Sequence, residues 1–245
     1  MTRSQARSLI LEGRVRIDGI VATKAGQSAK SSASIEVERP RRFVSRGGEK
    51  LERALNDFAV DVRGVEALDV GASTGDFTDC LLQRGASHVT AVDVGYGQLA
   101  WRLRNDPRVR VLERTNFRLL SEDAFPRGFD LIVVDASFIS VRTIVTRARA
   151  YLRRAGTMVA LVKPQFEAGR KRLVDGVVRD FGVLCDVLRE VRDALVFEDL
   201  IPVALTPSPL RGPAGNREFF VELRHEGIAF DDARVDAVLA EVAPA

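Results

Sequence analysis

Apolar positions along this chain follow two regimes. Near the start, Ala6, Leu9, Ile10 and Leu11 form a stripe at helical spacing, which predicts a helix over 2–12. Thr2 or Ser4 can cap that helix, and Gly13 stops it. Arg14-Val15-Arg16-Ile17 then alternates charged and apolar residues as a strand does. Asp18-Gly19 is a turn signal, Ile20-Val21 resumes, and a third strand is expected at 33–37. From residue 67 onward, short apolar runs alternate with amphipathic stretches. The runs predict strands at 67–70, 88–92, 109–112, 131–134, 158–162, 203–206 and 218–223. Helices are expected at 49–58, 76–83, 98–104, 141–151, 182–196 and 231–242. Such alternation argues an α/β fold with a mostly parallel sheet covered on both faces. The segment TPSPLRGPAGN joins the last two strands and is too short and too rich in Pro and Gly for a crossover helix. Those strands are therefore expected to pair as a hairpin, with the final one antiparallel.

This pattern divides the chain into a small α+β domain at 1–40, a charged linker at 41–46 and an α/β domain at 47–245. Charge sharpens the division. Residues 1–53 hold twelve Lys/Arg against six Asp/Glu, while the whole chain nets only +3. A basic end on a near-neutral body is the footprint of a nucleic-acid-binding arm, although a solvated surface would carry the same charges. No apolar run approaches the roughly 20 residues of a membrane helix, and the arginine-bearing start lacks a signal core. A cytoplasmic protein with no membrane is expected. Cys80, Cys185, His88 and His225 show no metal-ligand spacing, so two free thiols and no metal are expected.

The stretch Leu68-Asp69-Val70-Gly71-Ala72-Ser73-Thr74-Gly75-Asp76-Phe77 carries the first chemistry. A buried strand ends in small residues and a helix begins. Gly71 and Gly75 let the backbone bend and approach a ligand, and the helix start offers free N–H groups. The G-x-x-x-G spacing matches neither dinucleotide nor nucleotide-hydrolase loops, and the loop has no lysine for phosphates. The next strand ends at Asp93, where a carboxylate suits the two hydroxyls of a ribose. A ribose-bearing ligand without phosphates fits this pair of features, which points to S-adenosyl-L-methionine. The expected cofactor residues are Asp69, Gly71, Ala72, Ser73, Thr74, Gly75, Phe77, Asp93 and Asp135. Thr115 and Asn116, after the third strand, could flank an adenine or simply make a turn.

Asp135 and Lys163 end the fourth and fifth strands of that sheet, at the carboxyl edge where open α/β sheets bind ligands. Glu218 begins the last strand, whose start lies at the same edge if the strand is antiparallel. Lys50 sits in the first turn of the helix that must deliver the chain to the opposite edge. Topology thus gathers Lys50, Asp135, Lys163 and Glu218, as methyl transfer to a ribose 2′-hydroxyl would require. Lys163 is expected to accept the proton, Asp135 and Glu218 to position it, and Lys50 to tune it or hold the oxygen. Two plain surface salt bridges are the alternative. The loop Asp135-Ala136-Ser137-Phe138 lacks the N/D-P-P-Y/F pattern of adenine amino methylation, and neither cysteine is placed for C5 methylation.

The motifs SQARSLILEGRVRIDG (4–19), VSRGGEKLERAL (44–55), DVGASTGDFTD (69–79), AVDVGYGQL (91–99), ERTN (113–116), VVDASFIS (133–140), LVKPQFE (161–167) and GNREFF (215–220) carry a resemblance. In kind and order they resemble the TlyA (hemolysin A) family of ribosomal RNA 2′-O-methyltransferases. The resemblance implies a Rossmann-like class I methyltransferase fold of FtsJ type, with seven strands and the last antiparallel. It implies an N-terminal RNA-binding module like that of the small-subunit ribosomal protein four. The family's Lys-Asp-Lys-Glu tetrad falls on Lys50, Asp135, Lys163 and Glu218. The family modifies cytidine ribose, which makes ribosomal RNA or a ribosomal subunit the expected partner, and leaves monomer and dimer both open. Arg3, Ser4, Arg7, Arg14 and Arg46 match positions expected to face phosphates. The family's module usually begins with a further helix, so this one is expected to be truncated at its N-terminus. Some members are named hemolysins, which keeps a pore-forming role as a second reading. A non-catalytic ribosome-assembly factor is a third.

Overall fold

The computed structural model describes residues 2–11, 13–37, 42–197 and 199–243. The chain separates into two compact units, residues 1–42 and 43–245. In the first, helix α1 (Arg3–Leu11) precedes strands β1 (Val15–Ile17), β2 (Ile20–Val21) and β3 (Ile35–Val37). The three strands form an antiparallel sheet in the order β2-β1-β3. Asp18 and Gly19 both adopt positive φ, 51° and 79°, the geometry of a tight two-residue hairpin turn. The Asp18 carboxylate also accepts the Ser34 N–H at 2.8 Å, tying the chain just before β3 to the turn. Leu9, Val15 and Ala22 make a small core, while Ile20 and Ile35 stay 71% and 62% exposed.

The second unit runs α2 (Gly47–Asp57), β4 (Glu66–Val70), α3 (Asp76–Gln83), β5 (His88–Val92), α4 (Trp101–Arg104) and β6 (Val109–Leu112). It continues with β7 (Phe129–Val134), α5 (Val141–Ala148), β8 (Leu152–Val162) and α6 (Pro164–Glu167). Then come α7 (Phe181–Ala194), β9 (Ile201–Pro207), β10 (Phe219–Arg224) and α8 (Asp232–Val242). The seven strands stand in the order β6-β5-β4-β7-β8-β10-β9. Pairing is parallel from β6 through β8, and β10 is antiparallel to both its neighbours, β8 and β9. Alternate residues of each strand feed two cores. Leu68, Val70, Ile132 and Val134 face the side covered by α5, α7 and α8. Ala67, Leu131 and Val133 face the side covered by α2 and α3, where Leu51, Leu55 and Leu81 are fully buried.

Three expectations change. The segment 43–46 belongs to the α/β unit rather than to a linker, because Phe43 is buried against α2. A Cβ at Gly48 would lie 2.3 Å from the Phe43 ring. The Val44 N–H also donates to Asp79 at 2.9 Å, and the Ser45 hydroxyl to Asp76 at 2.6 Å. Residues 38–41 lie outside the described residues. Strand β8 starts at Leu152 rather than 158, with an irregular register opposite Phe129–Leu131. Helix α4 spans only Trp101–Arg104, because 94–97 bend away from helical geometry and Asp93 accepts the Gly95 N–H.

Candidate active site

The carboxyl ends of β4, β5, β6 and β7 open onto a cavity of about 590 Å³. Val70, Val92, Phe117, Ile139 and Ile144 supply apolar wall, and Ser73, Asp93, Thr115, Asn116 and Asp135 supply polar groups. This size and mixture suit a small organic ligand. Gly71 forms the floor at φ +86°, where a Cβ would come within 2.5 Å of the Asp135 carbonyl oxygen. Its N–H and that of Ala72 both donate to the Val92 carbonyl, at 2.9 and 3.2 Å. The turn therefore joins three strands, and no side chain fits at Gly71. Asp93 completes the turn by accepting the Ser73 N–H at 2.8 Å and the Gly95 N–H at 2.6 Å. Ser73 itself is held at φ 47°. Thr115 donates to the Glu113 carbonyl at 3.0 Å, and Asn116 accepts from the Arg118 N–H at 3.2 Å to start the turn of 117–119.

Not every expected cofactor residue faces this cavity. Strand alternation turns Asp69 toward α3, where it is fully buried and accepts the Thr78 hydroxyl at 2.6 Å. Burial pushes its carboxyl up to about 7, Thr78 opposing and the nearby Asp135 charge adding to the rise. Among the described residues, the second Asp69 oxygen has no hydrogen-bond partner. Gly75 at φ +97° packs against α4, since a Cβ there would lie 2.3 Å from Leu103. Phe77 is buried with its ring 6.0 Å from that of Phe220. The Thr74 hydroxyl donates to Asp76 at 2.9 Å, and Ala72 is buried behind the turn. These five residues build the turn; they do not line the main cavity.

The four charged residues meet as two ion pairs beside the cavity. Lys163 Nζ lies 2.5 Å from Asp135 Oδ1 and donates to the Ser137 hydroxyl at 2.8 Å. Lys50 Nζ lies 2.5 Å from Glu218 Oε2, with side chains 13% and 2% exposed. The antiparallel register ends at Phe219↔Val162, one residue short of Glu218 and Lys163, so the strand pairing brings both ion pairs to the same edge. Lys50 is delivered by α2, whose start is anchored by Ser45 to the beginning of α3. Asp135 and Ser137 line the cavity as well as holding Lys163, which puts the ammonium at its rim.

Several groups escaped sequence reasoning. Phe138 takes φ 64° and is 90% exposed at the cavity edge, its ring 5.3 Å from Phe166. Glu167 fixes that loop by accepting the Ser140 hydroxyl at 2.6 Å and the Val141 N–H at 2.7 Å. Asn216 is 2% exposed; it accepts the Val178 N–H at 3.1 Å and donates to the Gly176 carbonyl at 3.0 Å. It thereby joins the turn at 174–177 to the chain leading into Glu218. The Arg114 guanidinium lies 4.0 Å over the Tyr96 ring, and Arg118 lines the cavity. Among the residues expected to face RNA, Arg3, Arg7 and Arg46 are exposed and Arg14 is half-buried. The side chain of Ser4 lies outside the described residues.

Residues 43–225 match the FtsJ-like methyltransferase family. The chain belongs to that family. Residues 2–35 of this methyltransferase match the S4 domain. It is 46% identical over 231 residues to the 16S/23S rRNA (cytidine-2′-O)-methyltransferase TlyA of Mycobacterium tuberculosis. That match covers 91% of the chain and 84% of the relative. It is 38% identical to Hemolysin A of Brachyspira hyodysenteriae, covering 89% of the chain and 92% of that protein. A solved structure from Lactococcus lactis superposes with TM-score 0.78 at 41% identity, covering 83% of this chain and 99% of that one. No helix among the described residues is long and apolar enough to cross a membrane.

Proposed function

We propose that this methyltransferase moves a methyl group from S-adenosyl-L-methionine to a ribose 2′-hydroxyl of cytidine in ribosomal RNA. The observation that carries the reading is the pair of Lys–carboxylate contacts at the rim of a nucleoside-sized cavity. The cavity fits the cofactor. Its Gly71 floor admits close backbone approach, Asp93 can receive ribose hydroxyls, and Phe117 and Ile144 can flank an adenine ring. When bound, the cofactor supplies an electrophilic methyl carbon on a cationic sulfur.

Lys163 is held at the rim by Asp135 and Ser137, where in its neutral amine form it can take the 2′-hydroxyl proton as the oxygen–carbon bond forms and the sulfur–carbon bond breaks. Glu218 keeps Lys50 beside it, so that a second ammonium can hold the ribose oxygen or tune its neighbour. The exposed Phe138 ring offers a face on which a base withdrawn from its stack can rest. The S4 domain, with Arg3, Arg7 and Arg14, and Arg46 at the start of α2 supply phosphate contacts. The intact set of lysines and carboxylates favours an enzyme over a bare assembly factor.

The test is incubation of purified protein with methyl donor and ribosomal subunits or their deproteinised RNA, followed by mass mapping of nucleosides. A new 2′-O-methylcytidine is expected. Methylation only on a base, or none on either substrate, would overturn the reading.

A further inference from the structure

The same sheet carries a second built pocket, at its amino edge. A cavity of about 390 Å³ lies beneath the loop 124–128, across the starts of β4, β5, β6 and β7. Val89, Phe125 and Phe129 form its apolar floor, and Arg108, Arg110 and Arg127 stand on its wall. The loop is held in place rather than loose. Phe125 packs edge-on against Phe129 and Tyr151, with ring centroids 5.2 and 5.0 Å away. The Tyr151 hydroxyl donates to the Ser121 carbonyl at 2.6 Å, and Arg153 donates to the Arg127 carbonyl at 3.0 Å.

The charge on this pocket is one-sided. Glu66 lines it but is already paired with Arg153, which also binds Asp130 at 2.7 Å. Arg108 is paired with Asp106. Among the described residues, the Arg110 and Arg127 guanidiniums have no carboxylate partner. Arg110 lies on β6, the edge strand, so it is open to a ligand running along the sheet's side. Two uncompensated guanidiniums over an apolar floor recognise phosphate beside a flat or apolar group.

We infer that this amino-edge pocket, through Arg110 and Arg127, grips the phosphate backbone of the substrate RNA at a distance from the methyl-transfer site. The inference rests on the RNA-methylating function proposed above. A strand of four to six residues separates the two edges by roughly 13–20 Å, a span that a few nucleotides cover. RNA lying along β6 could therefore occupy both sites at once.

The experiment uses full-length protein and deproteinised ribosomal RNA, with binding measured from 50 to 300 mM salt. In R110A/R127A, affinity at 100 mM salt is expected to fall about tenfold, and the slope of log K against log salt to shrink by about 1.4–1.8. Cofactor binding by calorimetry and kcat at saturating RNA should stay unchanged while KM rises. R63A/R154A removes the same net charge at exposed positions outside the pocket and should lose less than twofold. Equal losses in the two doubles, or no loss in R110A/R127A, would overturn the inference and leave the proposed function standing. If inorganic pyrophosphate binds wild type but not R110A/R127A while RNA affinity is equal, the pocket takes a free phosphorylated molecule and the RNA assignment falls. Wild-type protein that neither binds nor methylates the RNA would remove the proposed function itself, and this inference with it.

Discussion

At the carboxyl edge of the seven-stranded sheet every lysine of the cluster has a carboxylate within 2.5 Å. At the amino edge two arginines stand over an apolar floor with no carboxylate partner among the described residues. The two edges share the same strands, so the difference lies in what the strand ends carry. Paired, largely buried charges hold each other in one geometry, at the expense of desolvation, and are suited to orienting a proton transfer. Unpaired exposed guanidiniums gain little from the fold and retain their capacity for an anion from outside. On the proposed reading, this difference in charge arrangement separates a site for chemistry from a site for grip.

The largest test of that contrast is Lys163→Ala, expected to lower kcat by about 10²–10⁴ with cofactor affinity retained. Lys163→Arg should not restore the rate, because a guanidinium cannot give up its proton to act as a base. Single-turnover methylation of the RNA reads both, and a full rate in Lys163→Ala would reduce the carboxyl edge to two structural salt bridges. A smaller effect is expected at Asp69, behind the cavity turn. Its folded carboxyl titrates at about 7, above the usual carboxylate range, so the folded state holds a proton that the unfolded state has released. Wild-type stability should therefore fall as pH rises from about 4 to 7, by an amount of the order of 3 kcal/mol. Asp69→Asn should flatten that slope in urea titrations at several pH values, and an unchanged slope would show the carboxyl is not desolvated. The smallest is Asn216→Ala, which strands the Val178 N–H and the Gly176 carbonyl. A loss of about 2 kcal/mol is expected, or roughly 4–8 °C in melting temperature. No change in melting would mean the turn at 174–177 is held from elsewhere.

Local pattern was enough for most of the sheet. β5 and β6 fall on the expected residues because each is a short apolar run closed by turn residues. β8 was harder. Its first half, Leu152–Gly156, contains two arginines and reads as a loop. It is extended because Arg153 reaches Asp130 on the neighbouring β7 and Glu66 on β4 beyond it, partners 23 and 87 residues away. Phe43 has the same character: a lone aromatic in a charged stretch, placed in the core only by α2.

The order of strand-ending motifs was enough, without coordinates, to expect Asp135, Lys163 and Glu218 at one edge, because strands that run parallel end together and an antiparallel last strand begins there; Lys50 followed from the helix that leads into the first of them. Tertiary structure alone decided which lysine meets which carboxylate, since side-chain pairing depends on helix placement and strand register. It also decided that Asp69 turns from the cavity into the core. Only packing could create the amino-edge pocket, because Arg108, Arg110 and Arg127 belong to segments that meet through the fold.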